Sequence, residues 1–464
     1  SDWEFKWLTM KDGSKRVRVN AGWNQMQLYA KIRPEGYFLP TQTAGYYFQL
    51  AGILSNTVHG SVYSQGFVHE ALKAVRVMLS DGTIQILTSE SDLHFWRNSF
   101  GLLGFILGVE LEVVPRKKFQ VYTTQRLLPK WSPKEFWKFV KDDASADLPQ
   151  SVGAYIPESK REALGGEFFI NFLEDPPRVL AVVKRADENA TVPGVCYHVP
   201  PKAEANYEDM LTQKKFSMAH GFASYNESVR REGAPPISVP NLPIVNIPID
   251  KILQLLPDSN RTFSIQVAQA LAAAAFAEGA GVPAKVAKLR ALVNDGFIIT
   301  ETPRAVYSAY FFPAGDAYEA LDIIRGVVRK SLEAKEGFLW NLPSEFRFVN
   351  VNDDAFLQPV KPGLYAVVES VAFPGTAKDQ QEYLRALYEV QEALEKRFGK
   401  VHPHIAKMFG MVERDGRIVP FDPSRTCSLY TDEQKYEFNG YRFTFDPEGV
   451  FDQGLGVDLL SDCP

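Results

Sequence analysis

The sequence predicts an α+β protein of two unlike units, and three observations carry that expectation. Residues 1–118 read as hairpins and short strands broken by small polar residues and glycine. Residues 119–400 alternate strand and helix patterns, as a mixed sheet-and-helix layer requires. With 464 residues, 45% of them hydrophobic, the chain has enough apolar surface for more than one core.

Taken in order, Trp3 to Trp7 lead into a hairpin around Asp12-Gly13, and residues 16–22 follow as a strand. Next comes a loop of small residues around a lone histidine: Gly52, Ser55, Asn56, Thr57, His59, Gly60 and Ser61. Backbone without bulky side chains lets a large ligand lie flat against it. Residues 74–79 form a β-branched run, Asp81-Gly82 a tight turn and residues 83–87 its partner strand. Residues 101–108 read as a glycine-spaced turn entering the alternating strand 109–113.

Beyond Arg116-Lys117-Lys118, Ser132-Pro133-Lys134-Glu135 is a capping box with proline at the first helical position, and Phe136, Trp137, Phe139 and Val140 supply the buried face. Strands are expected at 166–172 and 179–183, joined by a turn at Asp175-Pro176-Pro177. Residues 191–258, rich in proline and in apolar side chains, read as an ordered insertion over a site. Alanine content and apolar spacing place helices at 264–278 and 282–293. A strand at 305–312 precedes Asp316, expected to cap a helix that buries Leu321, Ile324 and Val328. Strands near 345–350 and 364–373 lead to a helix over 379–398 with Tyr383, Leu387, Val390 and Leu394 facing inward.

Composition narrows the function. Net charge is −5 with no run of five like charges, which argues against nucleic acid or an anionic membrane as partner and favours a small molecule. The longest apolar stretch, 267–277, is too short for a transmembrane segment. Cys196, Cys427 and Cys463 fit no metal spacing, so no metal is expected, and they allow one disulfide at most; the compartment stays open, an organelle or secretion after processing included.

Two stretches carry candidate chemistry. On a strand, alternation puts Glu345 and Arg347 on one face and Phe346 and Phe348 on the other. A carboxylate beside a guanidinium accepts from one hydroxyl and donates to the next, although the same pattern also suits a surface ion pair. The second stretch is Gly399-Lys400-Val401-His402-Pro403-His404-Ile405-Ala406-Lys407.

The small-residue loop ending in His59-Gly60-Ser61, the hairpin with Asp81-Gly82 and the strand after Gly101 and Gly104, in this order, resemble the second lobe of the FAD domain in the vanillyl-alcohol oxidase/PCMH superfamily of FAD-linked oxidases. The resemblance implies a PCMH-type FAD-binding lobe at 1–118, a cap or substrate domain at 119–400 and a segment at 401–464 returning to the flavin lobe. It implies FAD as cofactor, held by Gly52, Ser55, Asn56, Thr57, His59, Gly60, Ser61, Gly104 and Ile106. In that family an earlier lobe with a glycine-rich pyrophosphate loop comes first. Nothing in the chain matches that loop, so the first lobe is expected to be missing, supplied by an upstream segment or a partner chain.

Residues 398–407 resemble the G-G-R-P-H-W-(G/A)-K signature of the aldonolactone and alditol oxidase branch, with Ile405 in place of Trp and Lys400-Val401 in place of Gly-Arg. By that resemblance Lys407 is a flavin-side cation, Glu345 and Arg347 contact the substrate hydroxyl, and His404 stands beside them. Residues 441–451 resemble the closing F-D-P-x-x-x-F that brings the chain back to the flavin. The expected activity is hydride transfer from the C–OH of a sugar-like lactone, alditol or other alcohol to flavin N5. Arg347, Lys407 or a water then accepts the proton. Val58, where many oxidases have a smaller residue, crowds the approach of dioxygen and so also suits a dehydrogenase. The competing expectation is an idle oxidase-like scaffold serving a larger assembly.

Overall fold

The computed structural model describes residues 2–32, 34–41, 43, 48–115, 119–144, 164–186, 306–334, 337–340, 342–372, 374, 377–452 and 454–463. The expected insertion at 191–258 and the helices at 264–278 and 282–293 lie outside them.

The first unit is an antiparallel sheet of β1 (Phe5–Thr9), β2 (Lys15–Asn20), β3 (Tyr37–Phe38), β4 (Leu72–Met78), β5 (Ile84–Leu87) and β6 (Phe105–Pro115). Its order is β1-β2-β6-β4-β5, with β3 also on β6. Alternation along β2, β4 and β6 turns Val17, Val19, Val75, Val77, Val109 and Leu111 to one face. There they meet Leu28 of α1 (Gln25–Ile32), Leu50 and Leu54 of α2 (Leu50–Leu54), and Trp96 of α3 (Glu90–Trp96). Both expected hairpins form, with Gly13 and Gly82 at positive φ in the turns. The glycine-spaced turn is shorter than expected, because β6 already starts at Phe105 and Gly108 is a strand residue. A Cβ on Gly108 would come within 2.6 Å of the Trp3 ring, so that glycine makes room for an indole rather than a bend.

The second unit is a sheet of β7 (Phe119–Leu127), β8 (Leu164–Asn171), β9 (Arg178–Ala186), β10 (Val306–Pro313), β11 (Ser344–Val351), β12 (Gly363–Ala372) and β13 (His402–Pro403), in the order β13-β10-β12-β11-β8-β9-β7. One face packs on α4 (Pro133–Ala144), α5 (Ala317–Glu333) and α6 (Ala377–Phe398) through Phe168, Phe346, Phe348, Phe136, Leu321 and Leu387. Phe168 and Phe346 stack at 4.7 Å, 12° from parallel. Ser132 Oγ accepts from Glu135 N at 3.4 Å, the serine half of the expected capping box. Asp316 makes no side-chain cap: it ends a 3-10 turn that runs straight into α5, so its own backbone is already helical.

The closing segment holds a hairpin of β14 (Val412–Arg414) and β15 (Arg417–Val419), then α7 (Pro423–Thr426), α8 (Asp432–Phe445) and α9 (Leu455–Leu460). Its last two helices pack on the first unit: Tyr441 stacks on Phe95 at 4.1 Å and donates to Asp92 at 2.8 Å, and Leu459 and Leu460 enter the first core. The hairpin packs on α6 instead, with Ile418 in the second core and Arg385 donating to Glu413 at 3.0 Å. A disulfide joins Cys427 to Cys463.

Candidate active site

The small-residue loop lies where the two sheets meet. Val68 N donates to Val58 O, and Gly166 N on β8 donates to Ser61 O at 2.9 Å. A Cβ on Gly165 would stand 2.8 Å from that same Ser61 oxygen. Asn350 N of β11 donates to Gln65 O, and a Cβ on Gly66 would lie 2.7 Å from Asn350 O. Glycine at these two positions lets the loop run in contact with the backbone of the second sheet.

The face of that sheet opposite its helices carries charge. Alternation that buries Phe168, Phe346 and Val368 among the helices sends Glu167, Glu345, Arg347 and Glu369 the other way. In register, Glu345 stands across from Glu369 on β12, and Arg347 across from Glu167 on β8. Arg347 Nε donates to Glu345 Oε1 at 2.5 Å, and its Nη2 lies 3.9 Å from Glu369 Oε2. Lys407 pairs with the same Glu369 Oε2. Backbone bonds from His404 N to Ala309 O, Lys407 N to His404 O and Met408 N to Tyr307 O fix this last group beside β10.

Two histidines close the space between loop and cluster. His59 and His404 lie 5.3 Å apart, each about 6 Å from the Phe311 ring, at 6.0 Å and 6.1 Å. His59 Nδ1 donates to Gly60 O at 2.9 Å, and His404 Nδ1 lies 3.5 Å from Thr57 Oγ1. Burial, then the charges of Arg347 and Lys407, hold His59 neutral, well below the usual imidazole range. Burial, then Lys407, His59 and Arg347, do the same to His404. Glu345 is pushed up to about 7 by burial, with Glu369 and Glu167 adding to the rise and Arg347 and Lys407 opposing it. For Arg347 burial works against the charge, but Glu345, Glu167 and Glu369 outweigh it and raise its proton affinity further.

The structure thus brings Glu345, Arg347, Lys407 and His404 together with Thr57, His59, Gly60 and Ser61. Ser55 and Asn56 begin the same loop: Ser55 O accepts from Phe100 N, and Asn56 O lies 3.2 Å from His69 Nδ1. Gly52 is exposed on α2, with open space where a Cβ would stand. Ile106 stands in the first sheet in register with Val77, and Gly104 just before β6 lies against Met78 O and Trp96. Val58 packs against the first core. Sequence reasoning missed Glu167 and Glu369, although each is the one charged residue of a mostly apolar strand.

Residues 5–88 match the FAD binding domain family, and residues 252–455 match D-arabinono-1,4-lactone oxidase. The chain is an FAD-dependent oxidoreductase. The flavin-binding domain is therefore within the chain at residues 5–88, which corrects the expectation that its first lobe is missing and removes the reason to invoke a partner chain for it. The fold, a PCMH-type flavin-binding unit with a sheet-and-helix cap, is shared with a cholesterol oxidase from B. sterolicum: TM-score 0.64 at 14% identity over 98% of this chain and 83% of that one. A solvent-stable cholesterol oxidase gives 0.60 at 13% over 98% and 84%.

The residues present fit FAD. Thr41 and Ser99 of the flavin-binding unit bury hydroxyl oxygens that have no hydrogen-bond partner among the described residues, and Ser99 adjoins the bond that ties Phe100 to Ser55. Such groups suit a ligand rich in phosphate and hydroxyl oxygens. Among the described residues no cluster of metal-ligating side chains occurs, and no helix is long and apolar enough to cross a membrane.

Proposed function

We propose that the enzyme oxidises the C–OH of a sugar-like lactone, an alditol or another alcohol, with Glu345 as proton acceptor. The observation that carries this reading is the convergence of Glu345 and Arg347 on a face enclosed by the His59 loop and Lys407. The match of residues 252–455 to D-arabinono-1,4-lactone oxidase supports the substrate class.

A hydroxyl placed over the pair donates to the Glu345 carboxylate and accepts from the Arg347 guanidinium. As the C–H bond breaks, the hydroxyl proton passes to Glu345 and the carbinol becomes a carbonyl. Bound FAD supplies the acceptor for the departing hydride. Arg347, its charge held by three carboxylates, cannot take the proton and instead steadies the negative charge growing on oxygen. His59 and His404, held neutral, orient the substrate without adding charge. The 57–61 loop, Thr41, Ser99 and Lys407 would hold the flavin.

The pH profile and one substitution test this together. With Glu345 titrating at about 7, turnover rises as pH increases through neutrality, because only the carboxylate accepts the proton. Glu345→Gln should remove that limb and lower turnover by roughly 10²- to 10⁴-fold, the usual range for loss of a general base, while the flavin absorbance of the purified protein persists. Turnover that survives the substitution sinks the assignment. Purified protein without the yellow chromophore would favour the idle scaffold.

A further inference from the structure

Glu369 has no role in that proton transfer, yet it is as heavily engaged in the cluster as Arg347. It is buried, it pairs with Lys407, it approaches Arg347 Nη2, and it faces Glu345 across the strand pair. The charged groups acting on Glu345 are Arg347 on its own strand, Glu167 from β8, Glu369 from β12 and Lys407 from the segment after β13. That is three carboxylates, Glu345 included, to two cations, while His59 and His404 stay neutral. Each cation already has a carboxylate: Glu345 for Arg347, Glu369 for Lys407. An incoming anion therefore meets no uncompensated positive charge, in surroundings where burial magnifies repulsion.

The geometry points to Glu369 as a specificity-determining and positioning residue, one that occupies Lys407 and so excludes anionic substrates such as hydroxy acids and phosphorylated alcohols. Without Glu369, the Lys407 ammonium would remain beside Arg347 as a free anchor for a carboxylate. This rests on the proposed active site, but its test does not depend on turnover.

Flavin-loaded protein is titrated with acetate and with its neutral isostere acetamide, binding being read from perturbation of the flavin spectrum and from calorimetry. The parent should bind acetate no better than acetamide. Glu369→Gln should bind acetate at least tenfold tighter than the parent, leave acetamide within about twofold, and lose the gain when Lys407→Met is added. Glu369→Asp, which keeps the charge, should behave as the parent. A purely structural role would weaken both ligands alike, and an unchanged acetate affinity in Glu369→Gln overturns the proposal. Should that variant fail to fold, Glu369→Ala takes its place with the same two outcomes: tighter acetate binding supports the inference, and unchanged acetate affinity ends it. Acetate gained without any alcohol oxidation would sink only the proposed reaction; oxidation without acetate gained would sink only this inference.

Discussion

Both sheets carry ion pairs on the face turned away from their core, but with different consequences. In the first sheet Glu110 accepts from Arg16 at 3.0 Å and Arg18 at 2.9 Å, and both arginine side chains are 28% exposed. Water reaches the two arginines of that trio and screens them, although Glu110 itself is only 6% exposed, so each pair contributes modestly. In the second sheet the corresponding face is roofed by the His59 loop, and Arg347 and Glu369 fall to 12% and 5% exposure. The same alternation of charged and apolar residues that decorates one surface furnishes the inside of a reaction site on the other. What distinguishes them is the element lying on top.

Breaking the apolar side of the second sheet should have the largest effect. Phe346 is fully buried between Phe168 and Phe136, and Phe346→Ala should cost roughly 3–5 kcal/mol, read as a lower midpoint of denaturant unfolding. A loss below about 1 kcal/mol would show that the aromatic layer does not hold the charged face in place.

The contact between loop and sheet comes next. Gly165→Ala puts a methyl group 2.8 Å from Ser61 O, so the loop or β8 must shift, at about 1–3 kcal/mol of stability. Flavin should be retained less tightly, measured as release on dilution, with the rest of the fold intact by circular dichroism. Unchanged flavin retention would separate the loop from cofactor binding.

The smallest effect belongs to the part-exposed arginines of the first sheet. Arg18→Ala should change stability by no more than about 1 kcal/mol, and less at high salt, in a thermal melt with and without added sodium chloride. A large loss there would erase the distinction between the two faces.

Much of this could be read locally. The hairpins at Asp12-Gly13 and Asp81-Gly82, the cap at Ser132 and the inward faces of α4 and α6 all follow from spacings of a few residues, and all form. The parity of Glu345 and Arg347 was legible for the same reason. Glu167 and Glu369 were not, because nothing within their own strands says which strands will be neighbours; only register sets them opposite Arg347 and Glu345. Gly108 misled because a glycine leaves the same mark in a sequence whether it turns the chain or makes room for Trp3.

The sequence by itself determined the elements, their buried faces and the residue types able to handle an alcohol, since periodicity and local sterics act over one or two turns. Only the tertiary structure decided that those residues form one enclosed site of paired charges. That depends on β8, β11 and β12 lying side by side, on the segment from His404 to Lys407 hanging from β10, and on the His59 loop closing over them. The physical reason is range: proton affinity and ion pairing depend on burial and on charges a few ångströms away, and the groups that supply both come from segments tens to hundreds of residues apart in the chain.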